Sequence, residues 1–303
     1  MVATELNEQE LWQQFPEKHG AERAELLVNI ARYAYQRGAG DEALAIIEAA
    51  QEIYRSLEAY VGAPLLAEIY EGIGHVLRRL NRNDEASESV EAAVGLLRED
   101  YSWQLPNLLK LHAHWSAEDG KWKKAAEYFA EAARLDEIED NFLLLAEDLI
   151  NLGSAHFEME EFEKALEVWL RSLPLYKEYG DFEGLCLCYQ RVAEAYAKLD
   201  RGIDAIAFAQ KALDIAESSG CTVKIVDSLI VSGKARHAMG ELDAAIDLLI
   251  RAKELNQSKG RPRWRQVIEG EEELALVYRT KGEISKAEEI ESRMKTIREI
   301  WDS

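Results

Sequence analysis

The sequence predicts an all-α protein built from consecutive helix–turn–helix units. Only five prolines occur in 303 residues, and residues that favour helix are abundant throughout. An alanine recurs seven times at intervals of 39 to 43 residues: Ala43, Ala86, Ala125, Ala165, Ala205, Ala245 and Ala287. A period of this length is typical of repeat arrays, in which each unit buries its apolar face against its neighbours.

Two further positions repeat in phase with this alanine. A turn residue lies five positions before it: Gly38, Asn81, Gly120, Glu160, Asp200, Gly240 and Gly282. A second small residue lies twelve positions before it: Ala31, Gly74, Ala113, Gly153, Ala193, Gly233 and Ala275. Amphipathic stretches such as "ALEVWLRSL" follow the alanine. Each unit is therefore predicted to hold a helix A, a turn and a helix B, with the small residues where two helices approach closely.

The pattern resembles the tetratricopeptide repeat. In the fourth unit it is carried by Leu149, Leu152, Gly153, His156, Ala165 and Trp169. The resemblance implies a right-handed superhelical solenoid of seven repeats with capping ends. The usual repeat of the family has about 34 residues, whereas the unit here has about 40 and lacks the closing proline, as in long-repeat members. HEAT and armadillo arrays have a similar period, but the small-residue pair in phase argues against them.

The domain boundaries follow from the same phase. Residues 1–23 are expected to form an N-terminal capping helix, and 24–302 a single solenoid, with repeats at about 24–60, 64–100, 106–139, 141–180, 182–220, 222–260 and 262–302. Asn7 and Glu10 suit a capping box, and Trp12 and Phe15 are expected to cover the first unit. Glu271 and Glu291 occupy positions that are apolar elsewhere, which predicts a polar closing surface. A kink is expected at Pro174 within a helix B.

Composition excludes several classes of function. The chain carries 57 acidic against 36 basic residues, a net charge of −21, which disfavours nucleic acid as a partner. The basic stretch "KGRPRWRQ", residues 259–266, resembles an AT-hook, a motif that binds the minor groove of DNA. Because Pro262 suits the first turn of the seventh helix A, we interpret this stretch as a helix boundary. The start of the chain lacks the features of a signal peptide, and no apolar run is long enough to span a membrane.

No chemistry of catalysis or metal binding is indicated. The sequence has no phosphate-binding loop, nucleophile elbow or zinc helix motif, so it predicts neither an enzyme nor a cofactor. Cys186, Cys188 and Cys221 form neither a disulfide framework nor a metal set. We expect a cytoplasmic protein without a bound metal.

The resemblance implies that A helices line a concave groove. The residues expected there to bind a peptide are Asn29, Arg32, His75, Lys110, Leu111, His114, Ile150, Asn151, Ser154, Arg191, Glu194, Ile230 and Lys234. An asparagine amide can donate to and accept from a peptide backbone, and an arginine can hold a carboxylate. Some members bind a C-terminal carboxylate with five clamp residues. Lys110, Asn151 and Arg191 match that clamp in type and phase, whereas His114 and Leu187 do not.

The hypothesis from sequence is therefore a protein- or peptide-binding scaffold, acting as a regulator or adaptor. The alternative is an assembly protein that uses its outer helix faces or its ends. The sequence predicts neither the partner nor the oligomeric state.

Overall fold

The computed structural model describes residues 8–56, 63–99, 103–257 and 263–301. Within these residues it contains α-helices and one short 3-10 helix, Phe15–Glu17, and no β-strand, which confirms the all-α class. The helices are α1 (Glu8–Gln14), α2 (Gly20–Gln36), α3 (Gly40–Arg55), α4 (Ala63–Arg79), α5 (Asn83–Glu99), α6 (Leu105–Glu118), α7 (Trp122–Ile138), α8 (Phe142–Glu158), α9 (Phe162–Tyr179), α10 (Phe182–Lys198), α11 (Gly202–Ser219), α12 (Thr222–Ala238), α13 (Leu242–Gln257), α14 (Trp264–Lys281) and α15 (Ile284–Trp301). Every helix among the described residues is too short or too polar to cross a bilayer.

The chain divides into two compact units, Met1–Leu135 and Asp136–Ser303. In the first unit, α2 packs on α3 and α4 packs on α5. Helices α6 and α7 meet through the stacked rings of His112 and Tyr128, whose centroids are 4.4 Å apart. In the second unit, α8 to α15 form four consecutive pairs. The A helices α10 and α12 also contact each other, as do α12 and α14, so three A helices form one continuous surface.

The turns between helices A and B have the geometry that the repeat predicts. All seven predicted turn residues, including the non-glycine residues Asn81, Glu160 and Asp200, have φ between +55° and +85°. In the fourth repeat, the N–H of Glu161 donates to the carbonyl of His156 at 2.9 Å, which closes the helix with a Schellman motif. A second series of left-handed residues, Asp140, Gly180 and Gly220, ends B helices. The period therefore specifies the turns even where glycine is absent.

The recurring alanines lie in the packed interior between helices. All seven are fully buried. The small residues on helix A allow the same approach: a Cβ atom at Gly74 would lie 2.8 Å from a methyl carbon of Val90, and one at Gly233 would lie 2.8 Å from Cγ of Leu249. Interiors packed this densely leave no room for another methyl group. This explains why the sequence repeats small residues rather than only apolar ones.

The N-terminal residues pack on the first repeat. Within α1, Leu11 is buried, and Glu8 accepts hydrogen bonds from the guanidinium group of Arg37, one of them from Nε at 3.0 Å. The ring of Phe15 contacts Trp12 edge to face, and the guanidinium group of Arg23 lies 4.1 Å from its centroid. Asn7 of the expected capping box lies outside the described residues.

The other end corrects one expectation. Glu291 is exposed and pairs with Arg279 at 2.7 Å, as a polar closing surface requires. Glu271 is instead buried, with 3% of its side chain exposed, between Lys253 and Arg293. The expectation that Glu271 forms part of the polar surface is wrong because α15 and α13 supply cations that enclose it.

Pro174 lies inside α9, which continues to Tyr179. The kink at this proline stays a prediction.

Candidate functional site

A pocket of about 310 Å³ opens on the surface that α10, α12 and α14 form in the second unit. Its lining comes from Leu187, Gln190, Arg191 and Glu194 on α10, from Val223, Asp227, Ile230 and Val231 on α12, and from Arg263, Arg265, Gln266 and Glu269 at the start of α14. Residues spaced by three, four and seven positions lie on one face of a helix. The helical period thus directs each set of side chains into the pocket.

Hydrogen bonds between helices hold the walls of the pocket. The amide Nε2 of Gln266 donates to the carbonyl of Val223 at 3.1 Å and to Oδ1 of Asp227 at 2.6 Å. On the other side, Nε2 of Gln190 donates to the hydroxyl of Ser228 at 2.8 Å. Both glutamine side chains are buried, so these contacts are shielded from water and fix the positions of α10, α12 and α14.

The charged side chains at the opposite edge of the pocket form ion pairs with each other. Nη1 of Arg191 lies 2.9 Å from Oε2 of Glu194, and Nζ of Lys234 lies 2.5 Å from Oε1 of Glu269. Burial by itself would lower the pKa of Lys234, but the contact with Glu269 raises it above its ordinary value. Lys234 therefore remains charged and holds Glu269 in the wall.

Asp227 has a different environment. Burial raises the pKa of its carboxyl group, and the nearby charge of Glu269 adds to this effect, while the hydrogen bond from Gln266 opposes it. The net direction is upward, which makes Asp227 easier to protonate than an exposed aspartate.

The structure brings together some of the residues predicted from sequence. Arg191, Glu194 and Ile230 line the pocket, and Lys234 adjoins it through Glu269. Three others lie on α8, outside the lining: Ile150 is buried, Asn151 is half-buried, and Ser154 donates its hydroxyl to the carbonyl of Ile150.

The predicted residues of the first unit lie on α2, α4 and α6. Arg32 donates to the amide oxygen of Asn29 at 3.4 Å. The rings of His75 and His114 pack edge to face against Trp115 and Phe129, rather than against each other. Lys110 and Leu111 are half-buried on α6.

Sequence reasoning missed the contribution of α14. Arg263, Arg265 and Gln266 line the pocket, yet the stretch that holds them was interpreted only as a helix boundary. Helix α14 does begin inside it, at Trp264, whereas Pro262 lies outside the described residues. The spacing of Gln266, Glu269 and Glu273 at three and four positions is the signal that places Gln266 on the inner face. In the described part of the chain, no group of three or more metal-ligating side chains is assembled.

Helix pairs stacked in this way define a helical-repeat protein whose A helices present a recessed surface. Tetratricopeptide repeat models match residues 144–218, which span α8 to α11, and residues 67–98 in α4 and α5. The chain therefore contains tetratricopeptide repeats, in α4 and α5 and again in α8 to α11. The count of seven repeats stays a prediction, because the matched segments cover only part of the array. No curated protein sequence matches the chain.

Solved structures share the fold at low sequence identity. A signal transduction ATPase with a tetratricopeptide repeat sensor, from Pyrococcus horikoshii, is similar with a TM-score of 0.65 and 16% identity. That match covers 97% of this chain but only 44% of the ATPase. A Rap protein complexed with competence and sporulation factor is similar with a TM-score of 0.61 and 16% identity, and the match covers 93% of this chain and 78% of the Rap protein. The quorum sensor NprR from B. thuringiensis is similar with a TM-score of 0.58 and 18% identity, and the match covers 96% of this chain and 81% of NprR.

Proposed function

We propose that this chain is a non-enzymatic scaffold or regulator that binds a peptide or partner segment in the pocket between α10, α12 and α14. The observation that carries the proposal is the convergence of Arg191, Glu194 and Ile230 on one recess. The fold alone does not determine a function, but a recess with both apolar and polar walls suits an extended chain.

The mechanism is recognition by side chains that are already in place. The half-buried Leu187 and Val223 offer apolar contacts, while the glutamines that support the walls are held by hydrogen bonds between helices. Binding to such a surface orders few additional side chains and so avoids much of the entropic cost of association. The similarity to a Rap protein and to the quorum sensor NprR supports the regulator subclass.

We place this activity in the cytoplasm. The three cysteines are free thiols, which suits a reducing compartment.

The proposal is tested by capture of partners from lysate of the source cells, with identification by mass spectrometry. The pocket variant is Leu187→Ala/Arg191→Ala. The matched control, Leu170→Ala/Arg171→Ala, removes the same residue types from the exposed face of α9. Partners retained by the wild type and the control, but reduced at least about tenfold by the pocket variant, would support the proposal. That reduction corresponds to about 1.4 kcal/mol. Thermal unfolding checks that both variants fold.

A loss of partners only in the α9 variant would contradict the pocket and favour the outer helix faces. The same capture with Asn151→Ala tests whether recognition extends to α8, as the sequence pattern predicts.

The alternative function, assembly through an end of the array, also has an observation in its favour. In the first unit, an open groove of about 820 Å³ has the apolar side chains of Trp12, Phe15, Ile46 and Ile53 in its lining. Apolar surface of this kind marks protein contacts. In analytical ultracentrifugation, a mass that rises from the monomer to the dimer value as the protein concentration increases, and that Ile53→Glu returns to the monomer value, would favour assembly by self-association.

A further inference from the structure

The charged side chains that line the pocket differ in whether they already have partners. The acidic ones are Glu194, Asp227 and Glu269. Glu194 is paired with Arg191, Glu269 is paired with Lys234, and Asp227 accepts a hydrogen bond from Gln266. Each of the three carboxyl groups therefore already interacts with a cation or a hydrogen-bond donor of the protein.

Two cations in the lining have no such partner in the part of the chain that the structure describes. Within the described residues, the guanidinium groups of Arg263 and Arg265 form neither a side-chain hydrogen bond nor an ion pair, although Arg263 lies near enough to Asp227 to act on it electrostatically. Both side chains are exposed. The pocket lining holds three acidic and three basic side chains, so in a protein of net charge −21 it is locally neutral, and the two arginines are its cations without a partner among the described residues.

The backbone at Arg263 is held in place. Its N–H donates to Oδ1 of Asn256 at 3.1 Å, and its carbonyl accepts from Nδ2 of the same residue at 3.3 Å. Asn256 is buried, so the bonds anchor the start of α14 on the end of α13. Arg263 is also the N-cap of α14 without a side-chain capping bond, and the helix terminus adds partial positive charge beside the arginines. Arg263 and Arg265 are thereby presented from a fixed position.

We infer that the segment bound in this pocket carries a carboxylate, which Arg263 and Arg265 bind at the start of α14. The inference rests on the proposed function and specifies its ligand as an acidic peptide segment or a free C-terminus. A guanidinium group binds a carboxylate through two parallel hydrogen bonds, and the peptide continues over the half-buried side chains of Leu187 and Val223. A nucleic acid would also supply anions, but the acidic side chains in the same lining and the overall charge oppose an extended phosphate backbone.

The test uses the purified full chain and an array of random octapeptides with free C-termini, together with a duplicate array amidated at the C-terminus. The tightest peptides are then labelled with fluorescein and measured by anisotropy. Each is compared with a version in which one carboxylate is an amide, by Asp→Asn, Glu→Gln or C-terminal amidation. The protein variants are Arg263→Gln/Arg265→Gln and a matched control, Arg134→Gln/Arg171→Gln, which removes two exposed arginines elsewhere.

We expect the amide version to bind the wild type and the Arg134/Arg171 control about tenfold more weakly, the usual scale for a charged hydrogen bond. For the Arg263/Arg265 variant, the affinities of the carboxylate peptide and its amide version should differ by less than about twofold, since the partner of the carboxylate is gone. Comparison of the two arrays shows whether the carboxylate belongs to a side chain or to the C-terminus.

Other outcomes separate the inference from the proposed function. Peptides that bind the pocket, as judged by sensitivity to Leu187→Ala/Arg191→Ala, without any preference for a carboxylate would overturn the inference alone. So would a preference that survives Arg263→Gln/Arg265→Gln. Failure of every peptide to bind, or binding that ignores the Leu187/Arg191 variant, would overturn the pocket function itself. A duplex oligonucleotide that displaces the peptide would replace the peptide ligand with nucleic acid.

Discussion

The indole ring of Trp169 lies directly over Gly153 where α8 and α9 cross. Nε1 of Trp169 donates to the carbonyl of Ile150 at 3.0 Å, and a Cβ atom at position 153 would come within 2.3 Å of that nitrogen. The ring is almost fully buried, with 1% exposed. The tryptophan therefore fits only because residue 153 has no side chain.

Gly153→Ala should lower the free energy of unfolding by about 1–3 kcal/mol, the range for overpacking a core. The control is Gly95→Ala on the exposed side of α5, where a Cβ atom meets nothing within 4 Å. That substitution should raise stability by about 0.5–1 kcal/mol, since alanine favours helix. Denaturant unfolding measures both, and equal midpoints for the two variants would refute the close contact.

Glu160→Gly should raise stability by about 1 kcal/mol. Glu160 has φ of +60° in the turn between α8 and α9, a conformation that costs a residue with a side chain about 1–2 kcal/mol and costs glycine little. Glu167→Gly, in the middle of α9 and exposed, should instead lower stability by about 1 kcal/mol. Thermal and denaturant unfolding distinguish the two. Loss of stability in both variants would show that the turn imposes no strain.

The first unit should lose stability in mild acid because of His112. Burial lowers the pKa of this imidazole to about 4, and the charge of Lys124 contributes, while Glu91 opposes the shift. Neither ring nitrogen forms a hydrogen bond with the described residues. The folded pKa lies below the unfolded value, so the neutral form is favoured by folding. Stability should be unaffected above about pH 6.5 and should fall between about pH 6.5 and 4, by up to about 3 kcal/mol.

The check is denaturant unfolding at pH 7, 6 and 5 for wild type, His112→Leu and His19→Gln. His112→Leu should flatten the dependence on pH whatever its stability at pH 7. His19 is exposed, and its replacement should keep the wild-type slope. An unchanged slope in His112→Leu would assign the acid sensitivity to other groups.

The ion pairs around Glu271 should respond unequally to substitution. Removing both cations, in Lys253→Met/Arg293→Met, leaves a buried carboxylate without a partner and should cost about 3–5 kcal/mol. Removing the carboxylate, in Glu271→Met, leaves two cations that are about a third or more exposed and should cost about 1 kcal/mol or less. Unfolding of the two variants side by side tests the asymmetry. A larger cost for Glu271→Met would mean that the triad contributes net attraction.

The turns were predictable because their determinants are local. Asn81, Glu160 and Asp200 were located by period alone, and each adopts the left-handed conformation that glycine adopts in the other repeats. A residue five positions before a buried alanine must reverse the chain in every unit, whatever its type. The helix pairs and the small residues between them follow from the same repeated spacing.

The candidate site was predictable only in part. Arg191, Glu194 and Ile230 follow from the phase of helix A, and they line the pocket. Arg263, Arg265 and Gln266 do not follow from it, because their position in the pocket lining depends on how the start of α14 packs against α12 and α13. Glu271 shows the same limit: its position in the repeat indicates a polar end, whereas Lys253 and Arg293 from two other helices enclose it.

The sequence by itself determined the helical class, the phase of the repeat, the turns and the residues where helices touch. These depend on packing contacts that recur at the same positions of every repeat and therefore show as a period. The tertiary structure decided which charged groups pair with other side chains of the protein and which line the pocket without such a pair among the described residues. That distinction arises from pairs such as Lys234 with Glu269, joined across neighbouring repeats, and the energy of a charge depends on what surrounds it in space rather than on its place in the chain.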